Sequence, residues 1–557
     1  HGAWSANRTP DDVVLPVAAQ AAVQLRLDAL DSEARRVARA ASVYGVTFWR
    51  RGLDALLGAT PASGVDRALR DLESQGFLAP RPASRIVATA EYAFRHAMAR
   101  DAAYATLLES DRRELHSRAA DWLESTQAAS SATLAQHRDL AGQRIQALGH
   151  WVAAAREALH DQAFDAARTY ATRALARDPE PEVRREVLCV RADASFALAD
   201  ARTALADARA AESVPNAPPP ARLRVALCVA QSQSLQGRLD AALATLRSAR
   251  ATAHPARTAR GPGAVSPRLW ASATLQQAAL LIARGDPNAG LDAIDEVVPR
   301  TDPDGAPGDP LQCLADTLRA KALLFLDRLD EARATADAAL SRARRDGDIP
   351  VSLRAAVVEG ATLVRLGEHE AATARLDHAR QEALRAGLVR DEVVACRWLG
   401  LAVSRAGAES VGQDWLAHAL TLAERAGLTG AALRCRVYAG WAAVTATRPG
   451  DLESHLAWCT MATDPRGADP ATAAMGKAVH AALLSRARNG DGALALAESA
   501  VTALSAGLRL GEGEALARWA LADALRRLGR IEHARAEARA LRDRIARCAE
   551  GIADPTR

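Results

Sequence analysis

Few stretches of this chain carry side chains in an arrangement that could do chemistry, and most of them fail on spacing. His137-Arg138-Asp139-Leu140 spells the opening of a phosphotransfer catalytic loop, but the asparagine that would hold a metal ion five residues after the aspartate is Arg144 here. No lysine precedes Lys321, and no DFG triplet or glycine-rich loop is present, so the stretch reads as a solvated helix. Gly476-Lys477 has the end of a phosphate-binding loop, yet Ala478 follows where Ser or Thr would coordinate magnesium. The 13 histidines include no HExxH and none falls at metal-ligand spacing with carboxylates, so no metal site is expected. No set of catalytic residues is left, and the chain by itself is expected not to be an enzyme.

One dense polar segment remains, Glu91 to Tyr104. It reads as a strand end leading into a helix, with Arg95, His96, Arg100 and Asp101 crowded into two turns. A surface ion pair between Arg and Asp on a helix contributes only a few tenths to about 1 kcal/mol. The residues alone therefore fit either a structural or a functional segment.

The elements that must position this segment are legible nearby. Asp31 to Gly45 offers an N-cap, a polar first turn, apolar Val37, Ala41 and Val43, and a terminating glycine. Further helices are expected over Phe48 to Leu57 and from Gly64 to a stop at Gly76. Phe77–Ala79 and Ala88–Phe94 then flank a turn-prone Pro80 to Ser84 and read as a hairpin. Three helices and a hairpin make a winged-helix-like module, after which helix resumes at His96 and continues to about Glu124.

From Leu148 onward the sequence repeats. Trp151, Ala167, Ala174 and Pro179 fall at the tetratricopeptide spacing W-x15-A-x6-A-x4-P. A turn followed five residues later by a small residue recurs as Gly237 with Ala242, Asp327 with Ala332, Gly367 with Ala372, Gly490 with Ala495 and Gly529 with Ala534. Weaker pairs are Gly285 with Gly290 and Gly407 with Gly412, and a degenerate repeat is expected near Gly450. The period of roughly 40 exceeds the standard 34, which lengthens each helix by about a turn. Leu353, Val357, Ala361 and Val364 mark a buried stripe. Val214–Pro220, Ala253–Pro267, Pro299–Pro310 and Thr463–Pro470 read as loops between repeats.

Composition agrees. A chain of 557 residues is too long for one compact core, and 49% hydrophobic residues with only 4% aromatics, mostly alanine and leucine, favour closely packed helices. The expected fold is all-α, an α-solenoid of tetratricopeptide-like helix pairs with an N-terminal winged-helix-like module. Domains are placed at 1–21, a linker from a missing upstream domain; 22–125, the winged-helix-like module; and 126–557, the repeat array. The chain opens on His1 and not Met, and reads as a fragment. A net charge of +4 makes no electrostatic case for nucleic acid. The seven cysteines form no CxxC pair and mostly sit in apolar helical stretches, which fits a reducing cytoplasm. Val437–Ala446 is far below the roughly 18 residues a membrane span needs.

Four pieces of the first 125 residues resemble bacterial STAND-type signalling ATPases, which fuse an AAA-like ATPase, a winged helix and tetratricopeptide repeats, in some cases with a serine/threonine kinase or adenylate cyclase. They are Leu15-Pro16 with Val23 to Leu27, Arg39 to Trp49, Glu91 to Tyr104, and Asp111 to His116. The resemblance implies that His96 is a nucleotide sensor, at the histidine of a motif like MHD, with Arg95 and Ala97 in place of its methionine and aspartate. It makes Arg95, Arg100, Asp101 and Tyr104 interdomain candidates. It also implies that ATP or ADP would bind through the missing domain, with no cofactor in this chain.

The expected function is a regulatory and sensor region: repeats bind a protein or small inducer on their concave face, and the winged helix relays this to a missing ATPase or kinase. The alternatives are the regulatory half of an ATP-dependent serine/threonine kinase, a DNA-binding regulator using Arg67, Arg70, Arg81 and Arg85, and a protein–protein scaffold. Asp66, Asp71 and Glu73 on the same helix repel phosphate and weigh against DNA.

Overall fold

The computed structural model describes residues 17–58, 62–253, 264–297, 310–446, 452–464, 467–511, 513–550 and 552. Gly450, Leu15-Pro16 and most of the Ala253–Pro267 and Pro299–Pro310 loops lie outside them. The chain forms two compact units, residues 1–158 with 169–179, and residues 159–168 with 180–557.

The first unit begins with α1 (Val17–Asp28) and α2 (Ser32–Val43). Asp31 caps α2, its side chain accepting from Ala34 N at 2.6 Å, as its place before an amphipathic run requires. Next come β1 (Thr47–Trp49), α3 (Arg50–Leu57), α4 (Ala62–Ser74), β2 (Leu78–Pro80) and β3 (Glu91–Phe94). The three strands form an antiparallel sheet in the order β1-β3-β2, with Phe48 opposite Tyr92 and Leu78 opposite Phe94.

The helix expected from Phe48 is corrected at its start. Thr47, Phe48 and Trp49 are a β-branched residue and two aromatics, they pair with β3, and helix begins only at Arg50. The single helix expected from His96 to Glu124 is two, α5 (Ala97–Ala105) and α6 (Glu109–Thr126), parted where Leu108 turns extended before the acidic first turn of α6. The remaining helices of this region are α7 (Ser131–Leu140), α8 (Arg144–His160) and α9 (Phe164–Leu175).

The second unit is a solenoid of antiparallel helix pairs: α10 (Pro181–Ala197) with α11 (Ala201–Glu212), α12 (Pro219–Leu235) with α13 (Leu239–Ala253), α14 (Pro267–Arg284) with α15 (Pro287–Val297), and α16 (Pro310–Phe325) with α17 (Leu329–Asp346). They continue as α18 (Ile349–Arg365) with α19 (His369–Arg385), α20 (Val389–Arg405) with α21 (Glu409–Arg425), and α22 (Thr429–Thr445) with α23 (Leu452–Thr463). The last pairs are α24 (Pro470–Arg486) with α25 (Gly490–Ser505), and α26 (Gly513–Arg527) with α27 (Ile531–Glu550).

The regularity is finer than the 40-residue period. Helices α18 to α22 are each 17 residues long. Glycines 347, 367, 387, 407 and 427, every twentieth residue, all adopt the left-handed conformation between them. One register assignment is corrected. The left-handed turn residue before α25 is Arg488, Gly490 is already helical, and the buried small residue five positions on is Ala493. Ala495 is exposed.

The first helices of successive pairs stack on one another as the inner layer. The coil then meets itself, with α12 packing on α22 and α14 on α24. At that seam a Cβ on Gly430 would stand 2.9 Å from Gly237 Cα, a clash that explains glycine on both sides. Thr429 Oγ1 donates to Gln236 O at 2.7 Å, and Arg509 N to Gly285 O at 2.8 Å. Asp327 takes both Arg365 and Arg544.

Candidate ligand-binding site

The structure disperses the segment from Glu91 to Tyr104 into separate structural tasks. His96 is the exposed N-cap of α5 and makes no side-chain capping bond. Arg95 Nε donates to Leu78 O at 3.1 Å, holding the end of β3 to β2. Arg100 Nε donates to Ser42 O at 2.9 Å, and its guanidinium pairs with Asp101 and lies 4.8 Å from the Tyr104 ring centroid. Tyr104 Oη bonds His116 Nε2 at 2.8 Å.

Two histidines that nothing in the sequence pairs, His116 and His137, complete this cluster. His116 Nδ1 meets His137 Nδ1 at 2.9 Å, and both rings are buried. Burial, aided by the partner imidazole and by Arg100 and Arg112, lowers His116 to about 3; burial and Arg100 lower His137 to about 4. The tetrapeptide His137 to Leu140 is thus half buried and not the fully solvated stretch expected. His137 and Arg138 are both buried, Arg138 pairs with Asp121 and Glu124, and Asp139 accepts from Trp151 Nε1 at 2.6 Å and pairs with Arg177.

The residues proposed for DNA divide. Arg67 and Arg70 are exposed on α4. Arg81 and Arg85 both approach Glu91, at 3.7 and 3.3 Å, and Glu91 also accepts from Arg85 N and Trp49 Nε1. Burial pushes the Glu91 carboxyl up, but these partners outweigh it and hold its pKa below the ordinary value. Both arginines are thus tied to one carboxylate, which offsets part of their charge toward a phosphate.

The second unit holds a further feature, a partly open cavity of about 460 Å³ lined by the inner layer from α12 to α24. One wall is apolar: Leu235 of α12, Leu275 and Leu280 of α14, and Leu314, Leu318 and Phe325 of α16. The other is cationic and aromatic. Lys321 comes from α16, Arg354 from α18, Arg390 and Arg397 from α20 and Arg434 from α22, beside Trp398, Tyr438 and Trp441.

Counter-charges cover only part of this wall. Asp391 is shared by Arg354 at 3.5 Å and Arg390 at 3.6 Å, and Asp469 holds Arg434 at 3.0 Å. Arg397 is buried, faces the Tyr438 ring at 4.8 Å, has no carboxylate partner among the described residues, and its Nε lacks an acceptor. An unpartnered buried cation is costly unless something else supplies the charge. Burial together with Arg434, Arg397, Arg354 and Arg390 pulls Lys321 down from 10.5 to about 7, and burial with Arg354 pulls Arg390 down to about 10.

This site had a signal in the sequence. Forty residues beyond the stripe Leu353, Val357, Ala361 stand Val393, Arg397, Leu401, and forty further Leu433, Val437, Trp441. Arg397 alone breaks that apolar register with a charge, and Lys321 is one of two lysines in the chain.

No family model and no curated protein matches the chain. Among solved structures, a Rap protein complexed with competence and sporulation factor is 11% identical, with a TM-score of 0.47, over 67% of this chain and all of that one. A signal-transduction ATPase with a tetratricopeptide-repeat sensor from Pyrococcus horikoshii is 12% identical, with a TM-score of 0.33, over 90% of this chain and 68% of that one. A tetratricopeptide-repeat protein from Parabacteroides merdae is 12% identical, with a TM-score of 0.30, over 55% of this chain and 99% of that one.

Proposed function

We propose that this chain is a ligand-sensing regulatory region whose repeat array takes an amphiphilic anion into its interior. The observation that carries this is the two-walled cavity, where Lys321 and Arg397 have no carboxylate partner among the described residues on one side and leucine side chains line the other. An acid headgroup would sit against Lys321 and Arg397, and an apolar body would lie along α12, α14 and α16. Because the cations come from α16, α18, α20 and α22, their mutual repulsion opposes tight winding of the coil until an anion neutralises it. Occupancy is thereby coupled to how closely the pairs stack.

The effector is the signal-transduction ATPase or serine/threonine kinase implied by the resemblance of the N-terminal segments, with ATP or ADP bound by that domain and His96 as its sensor. A protein partner on the outer repeat surface fits the same regulatory role.

The test uses 8-anilinonaphthalene-1-sulfonate as a fluorescent anionic probe on the full chain, displaced by laurate or by dodecyltrimethylammonium. Displacement by laurate alone, with affinity weakened at least about tenfold in Arg397→Leu, supports the reading. Equal displacement by both surfactants removes it.

A further inference from the structure

A different cluster lies between α20 and α21, away from the cavity wall. Glu392 and Cys396 are one turn apart on α20, and His418 reaches them from α21. One ligand atom from each lies within 4.8 Å of the other two. Spacing in the sequence gave no hint of this, because the histidine follows the cysteine by a whole helix and turn. Cys396 is fully buried and Glu392 is 6% exposed, while His418 is exposed.

The Glu392 carboxylate is the second observation. The residue is 6% exposed, its carboxylate faces Cys396 and His418, and among the described residues it forms no ion pair. A carboxylate with no basic side chain paired to it leaves its charge available, and a cation held by the same three side chains would neutralise it.

We propose that Glu392, Cys396 and His418 form a zinc-binding site, closed by a water on the exposed His418 side. Thiolate, imidazole and carboxylate together suit zinc; calcium and magnesium prefer all-oxygen sets. Zinc bonds of about 2.0–2.3 Å place tetrahedral ligands about 3.3–3.8 Å apart, so the three side chains need close by only about 1 Å, and the exposed imidazole is the one able to move. On binding, the Cys396 S–H bond breaks, its proton leaves to water, and the sulfur, the carboxylate oxygen and one unprotonated imidazole nitrogen each donate a pair to the metal.

The metal would staple the two helices of one repeat. Arg390 and Arg397 project from the same α20 roughly a third of a turn round the helix, so the staple would also fix the element that presents the cavity's cations.

The test is titration of the metal-free full chain with cobalt(II) as a spectroscopic stand-in. One equivalent giving a thiolate-to-cobalt charge-transfer band, lost in Cys396→Ser and with affinity weakened at least about tenfold in His418→Ala, is the expected result. No charge-transfer band in the parent chain, or an undiminished band in folded Cys396→Ser, overturns the proposal. If Cys396→Ser does not fold, the exposed His418→Ala decides, and unchanged cobalt affinity there overturns it equally.

Discussion

His116 and His137 meet nitrogen to nitrogen, Nδ1 to Nδ1 at 2.9 Å, so one ring must carry the proton and the other must accept it. Tyr104 Oη occupies the far nitrogen of His116, extending the chain of polar contacts from α5 through α6 to α7. The accepting nitrogen cannot take a proton without losing this bond, so the two rings cannot both be charged while it persists.

Stability of the first unit should therefore depend on acid. Both folded-state values, about 3 and about 4, lie below the ordinary 6.5, so the unfolded chain binds more protons between those limits. The stabilisation is complete above pH 6.5 and is lost as pH falls from there toward about 4 for His137 and about 3 for His116. At pH 5 the loss is about 2 kcal/mol per imidazole. Denaturant unfolding of residues 1–179, followed through Trp49 and Trp122, should show it, and His116→Gln should flatten the dependence.

Binding of the anionic probe should also depend on pH, in the opposite range. Burial and the neighbouring arginines hold Lys321 near 7, and an anion beside it would raise that value, so binding takes up a proton above pH 7. Affinity should fall by up to about tenfold per pH unit between 7 and 9. Lys321→Met should bind more weakly at pH 6 and lose that slope; a slope retained in the variant would place the titrating group elsewhere.

The arginine that breaks the apolar stripe could be read from the sequence once the 40-residue register was set, as could the helix pairs and the capping of α2 by Asp31. What stayed hidden has a common cause: it depends on chain segments far apart. His116 and His137 are 21 residues apart, Glu392 and His418 lie on different helices, and Asp391 and Asp469 select which arginines stay unpaired. The strand at Thr47–Trp49 was missed because three residues carry no period of their own, and only pairing to β3 decides their conformation.

Gly430→Val should open the seam between α12 and α22. Even a methyl there meets Gly237 Cα at 2.9 Å, backbone that cannot rotate away. A loss of roughly 1–3 kcal/mol is expected, read as a lower melting temperature of the second unit, together with weaker probe binding. Gly427→Ala meets nothing within 4 Å but must hold the left-handed φ of +67°, so it should cost about 1–2 kcal/mol through backbone strain and leave the probe's affinity unchanged.

His96→Ala should leave the fold intact, since the side chain is exposed and caps nothing. On the proposed sensor role, the variant in a protein that also carries the proposed nucleotide-binding domain should retain ADP less well. Equal dissociation of ADP from parent and variant would end the sensor reading.

An open solenoid melts like a row of dominoes, each pair stabilised only by the next, and its ends fray first. Here Thr429 reaches back across 193 residues to Gln236, and Arg544 across 217 to Asp327. These long-range ties turn the row into a loop with no loose middle, so α12 to α27 should unfold in one cooperative step and fold slowly, because distant parts must find each other before either is secure.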